Sequence, residues 1–165
     1  MRVFANDLLI VSEWPPKTNG AAVRTGRTRS HQYGPCDLAC LYDARCGLGN
    51  YSPLFNPLTY TPHKAYYAFT AFKELRDRGT AVAVQVAGDK NLWVAAAKGE
   101  KDAAVMMAND SDKAIPLVCD FQGRAVASCR ITDKDRTDAT VSFPSELPPR
   151  SFLVAILATS ASVTR

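Results

Sequence analysis

The period of the apolar positions changes near Gly79. Upstream of it, residues 8–11 form a short continuous apolar run, as expected of a strand buried on both faces of a parallel sheet. The polar stretch that follows, residues 21–32, has no clean apolar stripe. Residues 38–42 are the next strand candidate, and residues 43–61 are rich in Gly, Pro and Asn and read as a long loop. After Pro62, residues 64–78 contain no Gly or Pro, and Ala65, Ala68, Phe69, Phe72 and Leu75 recur at helical spacing. Arg76 and Arg78 fall in the last turn, where the helix dipole favours cations, and Gly79 stands where a C-terminal cap belongs. The pattern predicts a helix over residues 64–78.

Downstream the period falls to two. Val82, Val84 and Val86 alternate with small or polar residues, and apolar runs follow at 91–97, 103–108, 115–121, 125–131, 139–143 and 152–157. Turn signals separate them: Gly88-Asp89, residues 99–102, residues 109–112, Gln122-Gly123, residues 133–136 and the proline-rich residues 144–149. About seven short strands with no helix between them are the pattern of an antiparallel β-sandwich; a closed barrel is the other arrangement. In a sandwich, Val82, Val84 and Val86 point one way, and Trp93 and Val105 belong to the core.

Composition narrows the classes. At 165 residues the chain is too short for an independent (β/α)₈ barrel, which takes about 250. The net charge of +4 comes mainly from Arg24, Arg27 and Arg29. Nucleic-acid binding needs a basic face with interleaved aromatics, and only Tyr33 is near, so the stretch reads as a solvated segment. Five cysteines occur without a CxxC pair. Cys36 and Cys40 could share a helical face, but no histidine or second pair completes a zinc set. Cys119 and Cys129 lie in consecutive strand segments and are either a disulfide, if those strands are neighbours, or buried free thiols. His31 and His63 are in no nucleophile motif, and Gly47-Leu48-Gly49 lacks the third glycine of a phosphate loop, so no metal or other cofactor is implied. The first apolar run is too short for a secretory signal. No run has membrane-spanning length, and the chain is expected to be soluble.

Three short stretches carry a family resemblance: Leu41-Tyr42-Asp43-Ala44-Arg45, the run YSPLFNPLT at 51–59, and KAYYAF at 64–69. Together they resemble a segment of bacterial glycoside hydrolases of the large retaining clan with (β/α)₈ barrels, most of all the family that holds the β-xylosidases and α-L-iduronidase. Residues 92–96 and 147–149 are similar to the sandwich of such enzymes mainly in pattern. The resemblance implies that the chain carries the eighth barrel strand, its long loop and the eighth helix, followed by a C-terminal sandwich. The expected fold is thus mainly β: a partial (β/α)-barrel remnant with one clear helix over residues 1–79, then an antiparallel β-sandwich over residues 80–165. The helix is expected to lay its apolar stripe on the remnant. The arginine-rich stretch departs from the apolar helix that the family has after its seventh strand.

Residues 10–14 (IVSEW) resemble the end of the seventh strand, where the nucleophilic glutamate of such enzymes stands. This implies Glu13 as nucleophile. Independently, an apolar strand that ends in a carboxylate puts that group at the C-terminal mouth of a barrel. Otherwise Glu13 is an exposed strand-end carboxylate without a role. Trp14 could offer a platform to a sugar ring. Tyr42, Asp43 and Arg45 could line a sugar subsite, or Asp43 and Arg45 could pair to anchor their loop. Glu74 in the helix, Glu100 in a charged turn and Glu146 in a proline-rich loop make poor nucleophiles, and Tyr66, Tyr67, Phe69 and Phe72 read as helix packing. Retaining hydrolysis requires a second carboxylate about 5–5.5 Å from the first. In the family it belongs to an Asn-Glu pair ending the fourth strand, and the sequence contains no Asn-Glu dipeptide. The expectation is a C-terminal fragment of a glycoside hydrolase, inactive as this chain alone. Its partners would be carbohydrate and the missing barrel half or a neighbouring domain, with self-association through apolar surface that the missing half would cover. The alternative is a non-catalytic carbohydrate-binding or structural sandwich module.

Overall fold

The structure, a computed structural model, describes residues 54–56 and 58–158. The strand candidates at 8–11 and 38–42, the arginine-rich stretch, and Cys36, Cys40 and Cys46 lie outside the described residues.

Helix α1 (Lys64–Arg78) has the bounds that the sequence predicts. The backbone at His63 is extended, and no side chain caps the helix. At the other end Gly79, at φ 82°, donates its N–H to the Arg76 carbonyl, a conformation that glycine adopts without steric cost. Eight strands follow: β1 (Thr80–Val82), β2 (Leu92–Lys98), β3 (Asp102–Asn109), β4 (Ile115–Pro116), β5 (Val126–Thr132), β6 (Ala139–Thr140), β7 (Glu146–Leu147) and β8 (Ser151–Ala158). Six of them form an open antiparallel sheet in the order β1-β2-β3-β8-β5-β6, and β4 pairs with β7 in a separate two-stranded ladder. Among the described residues the fold is mainly β and antiparallel with one helix.

The large sheet has an apolar cluster on each face. On one face Val94, Val105, Met107, Leu153 and Ile131 pack with Leu117 and Leu147 from around the small ladder. On the other, Ala104, Met106, Phe152 and Val154 pack with Ala68, Ala71 and Leu75 of α1. Of the helix stripe, Ala68, Phe72 and Leu75 pack on the sheet together with Ala71, and the barrel remnant on which the stripe is expected to lie falls largely outside the described residues. The helix alanines allow close approach, and on the facing side of β3 Met106 is flanked by two more, Ala104 and Ala108. Because both faces are covered, β3 and β8 are buried at almost every position and read as continuous apolar runs.

The strands differ from the sequence pattern in several places, and the run at 139–143 ladders only at Ala139–Thr140. The valine alternation does not form one long strand: β1 stops at Val82, which is 40% exposed, Val86 is 36% exposed, and only Val84 packs on the core. Trp93 is half-buried on the helix side, whereas Val105 is buried on the opposite face. Residues 115–121 ladder only at Ile115–Pro116, with a partner, β7, inside the stretch that reads as a proline-rich turn.

Cys119 and Cys129 are free thiols, so the disulfide alternative is not realised. Burial pushes the Cys129 thiol up to about 11 and raises that of Cys119. At pH 8 the native chain should alkylate at Cys129 at least about 100-fold more slowly than the urea-unfolded chain, since only the thiolate reacts. Peptide mapping after iodoacetamide checks this, and equal rates would place Cys129 at the surface.

Two turns at one end of the sheet are tied by a buried side chain. Asn109 is 0% exposed, and its Nδ2 donates to the carbonyls of Lys113 at 2.7 Å, Leu147 at 3.0 Å and Pro148 at 2.9 Å. Its Oδ1 accepts from the Ser111 N–H and hydroxyl, each at 2.8 Å. Arg150 adds salt bridges to Asp110 and Asp112 across the same turns.

Candidate functional site

The described end of the long loop is the part nearest to the helix N-terminus, and Asn56 organises it. Asn56 Oδ1 accepts from the Leu58 and Thr59 N–H groups at 2.9 and 3.1 Å, and the Asn56 carbonyl accepts from Tyr60 N–H at 2.9 Å. Asn56 N–H closes the turn on the Thr61 carbonyl, and Phe55 bridges to Pro62. This local bonding holds Tyr60 at φ 56°, in the left-handed region that a bulky side chain rarely occupies. Leu58 is 88% and Tyr60 is 76% exposed. Behind the turn, Phe55 meets Tyr66 at a tilt with 5.3 Å between ring centroids, and Tyr66 meets Tyr67 edge-on at 5.4 Å. Tyr66 and Tyr67 pack within the helix region, as their spacing suggests.

Charged side chains join α1 to the sheet. Lys64 Nζ donates to the carbonyls of Asp133 and Lys134 in the β5–β6 turn. Burial opposes charge on Asp133. Nevertheless the Arg136 side chain and the N–H groups of Arg136 and Asp135 hold its carboxyl below the usual carboxylate range. At the far end of α1, Arg78 donates to Asp102 at 2.6 Å and to Glu74 at 3.0 Å, and the second Glu74 oxygen accepts from Arg130 at 2.7 Å. Arg130 continues to Asp138 at 3.0 Å. Glu74 is thus fully engaged as an ion-pair acceptor, which suits neither nucleophile nor proton donor. Glu100 and Glu146 are exposed. The sequence pattern missed this network, although Glu74 and Arg78 stand at the i, i+4 spacing that favours helix ion pairs.

Glu13, Trp14, Tyr42, Asp43 and Arg45 lie outside the described residues. Among the described residues, no group of three or more His, Cys, Asp or Glu side chains could hold a metal ion, and no helix is long and apolar enough to cross a membrane.

No protein-family model matches the sequence, and no curated protein matches it. Solved structures do match. A family 30 glycoside hydrolase endoxylanase from Clostridium papyrosolvens superposes with a TM-score of 0.72 at 20% identity, over 90% of this chain and 40% of its own. A family 30 subfamily 8 xylanase from Clostridium acetobutylicum gives 0.70 at 14% identity, over 88% of this chain and 40% of its own. A glucosidase from Croceicoccus marinus gives 0.62 at 10% identity, over 92% and 44%. The chain has the fold of the C-terminal part of a glycoside hydrolase. It spans less than half the length of these glycoside hydrolases, and at such identities the likeness is one of fold.

Proposed function

We propose that this chain is the C-terminal portion of a glycoside hydrolase that cleaves glycosidic bonds in carbohydrate, and that it is inactive without the rest of the barrel. The observation that carries the reading is the asymmetry of the structural match: nine-tenths of this chain aligns with only two-fifths of a xylanase. In this reading residues 1–79 supply the last strands and helix of a (β/α)-barrel, and residues 80–165 are the sandwich.

The chemistry follows from the retaining mechanism. Glu13, just after an apolar run, would attack the anomeric carbon, while a second carboxyl group, protonated, gives its proton to the leaving oxygen and then, as a carboxylate, deprotonates water. None of the described glutamates suits that second role, so the acid/base belongs to the missing strands. Trp14 would carry the apolar face of a sugar ring, and Tyr42, Asp43 and Arg45 would hydrogen-bond its hydroxyls. Loss of the other barrel loops also removes most substrate positioning, which supplies a large share of the rate.

Assays against a panel of aryl glycosides test the reading. The 165-residue chain is expected to give no turnover. A version extended upstream through further strand–helix units should hydrolyse at least one substrate with retention of the anomer, and Glu13→Gln should abolish it. Turnover by the short chain would overthrow the fragment reading, and an extended enzyme indifferent to Glu13→Gln would remove Glu13 from the nucleophile role.

A further inference from the structure

Helix α1 is fastened to the sheet at both ends and along its length. Near its N-terminus the Lys64 ammonium sits on the carbonyls of Asp133 and Lys134. A cation is unfavourable in a first helical turn, so Lys64 is placed there against the helix dipole, and the carbonyls that it caps account for it. Along the middle, Ala68 and Ala71 are 1% exposed and share one apolar cluster with Met106 and Phe152 of the sheet. At the C-terminus a file of five charges, Asp102–Arg78–Glu74–Arg130–Asp138, runs from the start of β3 across the last turn of the helix to β5 and the residue before β6. The Arg78 side chain is only 12% exposed, and its Nε is buried without a hydrogen-bond partner. The guanidinium is therefore committed to its two carboxylates and the Glu74 carbonyl rather than shared with water.

We propose that α1 belongs to the cooperative folding unit of the sandwich, and that the sandwich acts as a splint that fixes the loop entering the helix, at residues 54–56 and 58–63. The grip on the helix stands on the contacts alone. That the splinted loop lies at the rim of a barrel rests on the glycoside-hydrolase reading. The Lys64 clamp is adjacent in sequence to the last loop hydrogen bond, from His63 N–H to the Leu54 carbonyl at 2.8 Å. A helix held at that end hands the loop a fixed starting point, and the Asn56 turn then has one direction in which to close. On this account the sandwich contributes to a substrate cleft through geometry, without touching sugar.

Native-state amide exchange of the 165-residue chain tests both halves. Amides of α1 should exchange through the same opening as those of β3 and β8, with protection within about threefold once denaturant favours global unfolding. Helix amides that exchange about 100-fold faster than the sheet under all conditions would overturn the shared unit. Glu74→Gln should lower protection in helix and sheet by the same factor, and a loss confined to the helix would count against the proposal. Lys64→Met should speed exchange at the Asn56 and His63 amides about tenfold beyond any change in the sheet; loop amides that move only with the sheet would overturn the splint. The wild-type comparison decides the first half even if a variant fails to fold. None of these outcomes depends on glycosidase activity, so an inactive extended enzyme would sink the hydrolase reading and leave the helix grip intact.

Discussion

Phe152→Ala should lower the unfolding free energy by about 3–5 kcal/mol, the range for removing a buried aromatic ring. Phe152 is 2% exposed and stands on β8, between Ala108 of β3 and Thr132 of β5 in the ladder register. Its cluster is unusually rich in alanine: Ala68 and Ala71 on the helix, and Ala104 and Ala108 on the sheet. The alanine methyls cannot swing into the void, whereas Met106 of the same cluster can fill part of it, so the cost should fall within that range. For a unit of this size the melting temperature should fall by roughly 10–20 °C. Urea unfolding followed by circular dichroism gives the measurement, with the slope against denaturant unchanged if only stability is altered. A loss below about 1 kcal/mol would mean that the helix and sheet close over the gap, or that the ring is not enclosed.

Asn109→Ala should cost about 3 kcal/mol, because each buried polar group left without a partner costs about 1–3 kcal/mol. The truncation strips the Leu147 and Pro148 carbonyls of a donor and the Ser111 N–H of an acceptor, and water can satisfy some of these groups only by opening the turns. Two further substitutions separate this from simple loss of volume. Ser111→Ala removes the hydroxyl that contacts Asn109 Oδ1 and the Lys113 backbone and should cost about 1 kcal/mol. Asn109→Asp nearly conserves shape but replaces the donor with an acceptor-only carboxylate facing three carbonyls, and near neutral pH it should destabilise at least as much as alanine. Equal stability of Asn109→Asp and the parent would show that the amide is not oriented as described.

What was legible in the sequence was what local pattern determines. The helix bounds rest on Pro62, the apolar spacing and Gly79, all within one short segment, and the structure reproduces them. The long central strands were legible for the same reason. What covers them was not. An alternating sandwich strand leaves one polar face, but β3 and β8 are apolar on both, and the second cover is a helix whose stripe gives no sign of its partner. Nor does a two-residue strand such as Glu146–Leu147 announce itself among prolines, because its ladder partner, Ile115–Pro116, is about thirty residues away. Asn109 read as turn punctuation because two of its three carbonyl partners come from residues 147 and 148. For the candidate site, the carboxylate and aromatic of the first apolar run could be singled out by residue type and resemblance. The charged grip on the helix depends on Arg130 and Asp102, distant in sequence from Glu74 and Arg78, and no local spacing discloses it.

The strand order carries a consequence for how the protein is made. β2 and β3 are neighbours in sequence and in space, as are β5 and β6, and β8 lies between the two pairs. A nascent chain that has reached Arg150 holds the β1–β2–β3 meander and the β5–β6 hairpin, with no ladder hydrogen bond from one to the other in the finished sheet. The arrival of β8 supplies both junctions at once, to β3 and to β5. Because loop closure over such sequence separation must precede its reward, the sheet should assemble late and abruptly during translation. Until then the apolar flanks of β3 and β5 are open, and a stalled ribosome in this interval would display a surface for chaperones.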